Sequence, residues 1–297
     1  MRCPYYNINE NRYINQLAKQ NPYLAIEEYE TYIKKYPKDY ITKIQYAMTL
    51  ISIREFDLAS EIIERIESDG FNDHYQDASQ KKALRKLKES LSCAKLKLMI
   101  YQEKYQEAYE FLLSDDFVDQ KNRKNPNESY YSRAILFCEK ELGLPITEQE
   151  ISPYIEKIIL TDQEEPLKTS LVNHSYEFAM QKNGYVEYFF RKEFPMDEVI
   201  KELKRVLPSE EGFFTGTVED SYFIRFDQCG YHTKNIVNYF EVICLHNTNK
   251  IITMCPTANK NPAKYIDFNH LNALKTEEEK PKQKSRIERF NQRYGLN

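Results

Sequence analysis

The sequence predicts an α+β protein in three parts. Helical hairpin repeats occupy 1–183, a small antiparallel-sheet α+β domain occupies 184–272, and a charged linker with a basic amphipathic tail occupies 273–297. Three observations carry this reading. Small and apolar residues recur at i, i+4 and i+7 through the first part, the spacing of one helix face. Past Asn183-Gly184 the chain turns to runs of Phe, Tyr, Ile, Val and Thr between turn residues, the pattern of strands. From Lys275 it becomes dense in charge.

The helical part is organised around 21–71. Ala25 and Ala59 stand 34 positions apart. Tyr29 and Ile63 follow them at i+4, and Tyr32 and Ile66 at i+7, so each trio shares a helix face. A small side chain suits the point where the second helix of a hairpin crosses close to the first. Pro37 stops the helix that ends at 35. Tyr46, Ala47 and Leu50 supply the packing face of the next. This set resembles the tetratricopeptide repeat. The alanine-x3-aromatic…proline half of that pattern is Ala25, Tyr29 and Pro37, and Tyr46, Ala47 and Leu50 stand where its first helix packs. The tryptophan of that pattern is missing near Lys43, and Ala47 replaces its glycine.

A third copy is echoed 49 positions beyond Ala59, at Ala108. There Glu-Lys-Tyr-Gln-Glu-Ala at 103–108 parallels Arg-Glu-Phe-Asp-Leu-Ala at 54–59. A polar insertion around 69–80 and a longer first helix over 81–102 take up the extra length. The resemblance implies stacked hairpins with a concave groove for a protein or peptide partner. Tyr40, Lys43 and Tyr46 are its candidate contacts. A plain helical bundle whose apolar stripes coincide with the repeat would give the same pattern.

Taken in order, helices are expected at 9–20, 40–54, 56–68, 80–102, 105–113, 129–142, 147–159 and 167–181. Asn21-Pro22 opens the helix that carries Ala25. Gly143, with Pro145 behind it, stops one helix. Thr147, with Glu150 three residues on, makes a capping box for the next. The polar stretches 114–127 and 162–166 read as a loop and a break. Strands are expected at 185–191, 212–218, 221–226, 238–245 and 250–255. The last two make a hairpin around His246-Asn247-Thr248-Asn249. An amphipathic helix over 195–207 shows Val199, Leu203 and Val206 on one face and ends at Pro208.

At 297 residues the chain is long enough for two domains. With 41% hydrophobic and 30% charged residues it reads as globular rather than disordered. No run of eighteen apolar residues occurs, so no membrane helix is expected. The start lacks an apolar signal core, which points to the cytoplasm. A net charge of −4 argues against non-specific coating of nucleic acid but leaves room for a local basic site. Abundant Tyr, Lys, Asn and Ile, no Trp and 7 Gly suggest an AT-rich genome, such as that of a low-GC bacterium or its phage. The cysteines (Cys3, Cys93, Cys138, Cys229, Cys244, Cys255) form no C-x2-C pair, and the histidines are scattered. Neither a metal site nor a disulfide framework is expected, and Cys93 and Cys138 read as buried small hydrophobes. No glycine-rich phosphate loop is present, so no cofactor is expected.

One segment gathers chemistry. Arg225, Asp227, Cys229, Tyr231, His232 and Lys234 fall within 222–234, as a strand runs into a loop. A small RNA-cleaving site needs that inventory: a base for the 2′-hydroxyl and a cation for the phosphate. Alternation puts Phe223, Arg225 and Asp227 on one face and Tyr222, Ile224 and Phe226 on the other. A surface Arg–Asp pair gives the same pattern with no chemistry. A Cys229–His232 nucleophile pair lacks an orienting third group. His246, at a hairpin turn, is expected to be solvated. In the tail, Arg286, Arg289 and Arg293 accompany Ile287, Phe290 and Tyr294 on an amphipathic pattern. That suits either a phosphate-backbone or partner contact, or docking back onto the protein.

Two functions follow from different features. The repeats suggest a protein- or peptide-binding protein with a C-terminal regulatory or interaction domain. The 225–234 cluster and basic tail suggest instead a ribonuclease-like toxin or phage-defence effector, with a helical sensor and RNA at the C-terminal domain. Neither sets an oligomeric state.

Overall fold

The computed structural model describes residues 7–69, 78–117, 130–146, 153–161, 165–182, 186–216, 218–233, 235–248 and 250–273. The chain is a mixture of helix and mainly antiparallel sheet. Among the described residues ten helices come first: α1 (Ile8–Gln20), α2 (Pro22–Lys35), α3 (Tyr40–Ser52), α4 (Phe56–Ser68), α5 (Ala78–Tyr101), α6 (Tyr105–Leu113), α7 (Tyr130–Leu142), α8 (Pro153–Leu160), α9 (Glu165–Asn173) and α10 (Tyr176–Gln181). Then come β1 (Tyr188–Phe190), α11 (Met196–Val206), β2 (Phe213–Thr215), β3 (Glu219–His232), β4 (Asn235–Leu245), β5 (Ile251–Pro256), β6 (Ile266–Asp267) and α12 (Asn269–Ala273).

Local signals set the helix ends. Asn7 caps α1 by accepting from the amides of Asn9 and Glu10. Asn21 caps α2 with Pro22 at its first position, and Asp39 caps α3 through the Thr42 amide. Gly143, at φ +65°, ends α7 in a left-handed turn, with the Leu144 amide reaching back to the Glu139 carbonyl at 2.9 Å. Thr147 and Glu150 lie outside the described residues.

Consecutive helices from α1 to α8 pack on their neighbours, and α3 also touches α1 and α5. Ala25, Ala47, Ala59, Ala94, Ala108 and Ala134 are all fully buried. The α3–α4 and α5–α6 turns are built alike. Arg54 (φ 68°) and Glu103 (φ 60°) take the left-handed conformation at matching places. In each turn the following amide closes on a carbonyl five residues back: Glu55 to Leu50 at 3.0 Å, and Lys104 to Met99 at 2.9 Å. The echo between 54–59 and 103–108 is therefore one of backbone as well as sequence.

The sheet runs β1-β3-β4-β5, and β2 and β6 pair with β3; only β6 runs parallel to it. β3 is longer than the expected 221–226. A bulge between Arg225 and Gly230 absorbs extra residues, with Gln228 left-handed, and lets the strand continue to His232. Gly230 is needed there: a Cβ would sit 2.4 Å from the Phe189 carbonyl oxygen. The expected helix 167–181 is in fact two, because Ser175 accepts the Phe178 amide and starts α10 anew. Packing is continuous across position 183. Phe214 joins the core of α1–α5, and Val218, Leu245 and Ile252 join that of α5–α8. A third core, with Val199 and Leu203 of α11 and Leu167 of α9, fills the other side of the sheet.

Candidate functional site

A cleft of about 760 Å³ opens between the helices and the sheet. That size falls within the range of ligand pockets. Its helical wall is a stripe of α3, Gln45, Met48, Thr49 and Ser52, at i, i+3, i+4 and i+7. α1 and α2 add Asn15 and Tyr29. An amide ladder holds this wall: the Tyr29 hydroxyl donates to Asn15 (2.8 Å), and Asn15 and Asn11 both donate to the Gln45 oxygen (3.0 and 2.8 Å). Burial raises the Tyr29 phenol above its ordinary value. The facing wall comes from the sheet, with Ser221 and Phe223 on β3, Glu241 on β4, and Phe213 to Thr215 on β2.

Lys97 of α5 enters the same cleft. It is 6% exposed. Among the described residues its ammonium makes no hydrogen bond or ion pair; its one close partner is the Tyr101 ring, 5.5 Å away. Burial pulls the amine down to about 8, against the opposing pull of Glu219 and Asp220. Those acids are already engaged. Glu219 faces Arg133 at 3.4 Å. Asp220 holds His246 Nδ1 at 3.0 Å, with both side chains buried. Glu241 takes the Ser221 hydroxyl, and burial raises its carboxyl above the usual range.

Behind Lys97 the helices and sheet are joined by aromatic packing. Tyr101 stacks on Phe214 at 3.8 Å, and its hydroxyl lies 2.6 Å from the Thr215 carbonyl and 3.0 Å from that of Glu219. The Arg54 guanidinium lies over the Phe214 ring at 4.3 Å. His246 stands edge-on to Tyr101 and Phe214. It is 2% exposed, not solvated as its place in a turn suggested. Its Nε2 is buried with no hydrogen-bond partner among the described residues.

Those singled-out residues that the structure describes lie elsewhere. Alternation on β3 is as expected, with Ile224 and Phe226 fully buried. Arg225 points outward, 3.4 Å from Asp227 and 3.9 Å from Asp267, with a further hydrogen bond to Tyr265. His232 pairs with Glu187 at 3.0 Å and stacks on Tyr188 at 4.5 Å. Their partners on β4, Tyr239 and Asn235, stand four positions apart, about 13 Å, so Arg225 and His232 sit apart along the sheet. Cys229 is fully buried, donates to the Val237 carbonyl, and is pushed up to about 12 by burial, the reverse of an activated thiol. Lys234, Arg286, Arg289 and Arg293 lie outside the described residues. Tyr40 and Tyr46 are each 6% exposed. Tyr46 stacks on Tyr29 at 5.3 Å and donates to Glu30. Lys43 lies over Tyr40 at 4.9 Å and pairs with Asp69 at 3.4 Å. The face of α3 that meets the cleft is a different one.

Lys97 escaped the sequence reading, yet a signal for it exists. It stands three residues after Ala94 and four before Tyr101, both buried, so a lysine interrupts an apolar face. Among the described residues no three His, Cys, Asp or Glu side chains gather to hold a metal ion, and no helix is long and apolar enough to cross a membrane. Comparison of the chain with protein-family models, with curated proteins and with solved structures finds no match.

Proposed function

We propose that this is a peptide-binding protein whose tetratricopeptide-like hairpins and C-terminal sheet together form the receiving site. The observation that carries the reading is the cleft of about 760 Å³ with helices on one wall and strands on the other. Its walls mix apolar surface (Met48, Phe213, Phe214, Phe223) with amides and hydroxyls (Asn15, Gln45, Thr49, Ser52, Ser221), which suits a main chain and its side groups. The matching turns at Arg54 and Glu103, and the buried Ala59 and Ala108 that follow each by five residues, support the repeat. The sheet serves as the interaction module that narrows the groove, through Phe214 packed on Tyr101 and Phe56.

The test is capture of a random decapeptide library by the full chain and by Ser52→Trp, which fills the cleft. Wild type should retain a defined subset that Ser52→Trp loses. Equal retention by both, or retention by neither, would sink the proposal. The RNA-cleaving alternative rests on Arg225 and His232, each of which is paired with its own carboxylate.

A further inference from the structure

We infer that Lys97 is the anchor for a carboxylate, and that the cleft takes the free C-terminal end of its peptide. This rests on the peptide-binding reading and adds the chemistry of recognition. Lys97 is nine-tenths buried, lines the cleft, and has no anionic partner in contact among the described residues. The nearby acids are engaged elsewhere, Glu219 by Arg133 and Asp220 by His246. Glu241, the cleft's own carboxyl, takes the Ser221 hydroxyl.

A largely buried ammonium with no carboxylate in contact is costly, and an arriving carboxylate relieves that cost beyond what the more distant Glu219 and Asp220 supply. Only 6% of the lysine is exposed in the free protein, so most of its desolvation precedes binding and the ion pair forms against a preorganised group. The occupant is a chain end rather than an acidic side chain because Lys97 stands deep between two walls. A terminus reaches it with one strand of peptide leading out, whereas an internal Asp or Glu needs room for two. The amides of Asn15 and Gln45 and the hydroxyls of Thr49 and Ser52 then lie along the path of the peptide.

The experiment offers the same decapeptide library to the full chain in two forms, free acid and C-terminal amide. Wild type should prefer the free acids by about ten- to hundredfold, the range of a hydrogen bond to a charged group. Lys97→Met should lose that preference while keeping its fold by circular dichroism, and Lys97→Arg should keep part of it. Equal retention of acids and amides, with Ser52→Trp still abolishing both, would overturn the anchor and leave the cleft reading standing. Preferential retention of amidated peptides carrying internal Asp or Glu would also overturn it, in favour of a side-chain ligand. Retention of neither form would overturn both readings.

Discussion

The outer face of β3 and the wall behind the cleft both collect charge, but on opposite terms. Outside, Arg225 faces Asp227 and Asp267 at 3.4 and 3.9 Å with its side chain 37% exposed. Inside, Lys97, Asp220 and His246 are all less than a tenth exposed. In water a close pair is screened and worth little. Away from water the same charge dominates its surroundings, whether paired or not. Chemistry-rich sequence therefore marked the place where charge matters least.

Five variants would break or sharpen this contrast. The largest effect is expected from Asp220→Ala, which strands the buried His246 and should cost about 3–5 kcal/mol in urea unfolding. A loss below about 1 kcal/mol would mean that water reaches the pair. Next, Lys97→Met should stabilise the protein at pH 7 by on the order of 2 kcal/mol. The sign follows from the amine's value of about 8, below its ordinary value. The unfolded state binds the proton more tightly, so the penalty is complete below about pH 8 and fades as pH rises towards the ordinary lysine value. The gain over wild type should therefore shrink at pH 9.5, and a destabilised Lys97→Met at pH 7 would contradict it.

The third effect repeats the contrast in miniature at two turns of the same backbone. Glu103→Gly should gain about 0.5 kcal/mol, the relief of a left-handed non-glycine residue set against loss of the exposed hydrogen bond that its carboxylate accepts from Asn247 at 3.0 Å. Arg54→Gly relieves the same strain but removes the guanidinium from the Phe214 ring, so its net change should be smaller. Equal gains in thermal unfolding would show that the Arg54 contact adds nothing. Smallest of all, Arg225→Ala should change stability by less than about 0.5 kcal/mol. A larger loss would make the outer cluster a structural site.

Much of the helical part was legible because its signals are local. The expected 56–68 and 105–113 coincide with α4 and α6, since each begins after a short polar turn and carries its buried alanine at a fixed offset. Gly143 stopped α7 as its type requires. The β4–β5 hairpin was legible from two β-rich runs on either side of the turn residues 246–249. Errors arose where a local pattern had two outcomes. Nothing apolar marks the break at Ser175, whose hydroxyl starts α10 by capping rather than by periodicity. The bulge at Gln228 let β3 outrun its alternating segment.

By itself the sequence determined an α+β chain, the helices up to α7 and a strand-rich end, because periodicity, caps and turn residues act over a few positions. Only the tertiary structure decided which charges are functional candidates. Lys97 lies more than a hundred residues from Glu241 and Ser221, and the cleft they share exists because Tyr101 and Phe214 bring helix and strand together. Burial is a property of what packs around a side chain. A lysine in a helix and a histidine in a turn carry no mark of it until the sheet closes over them.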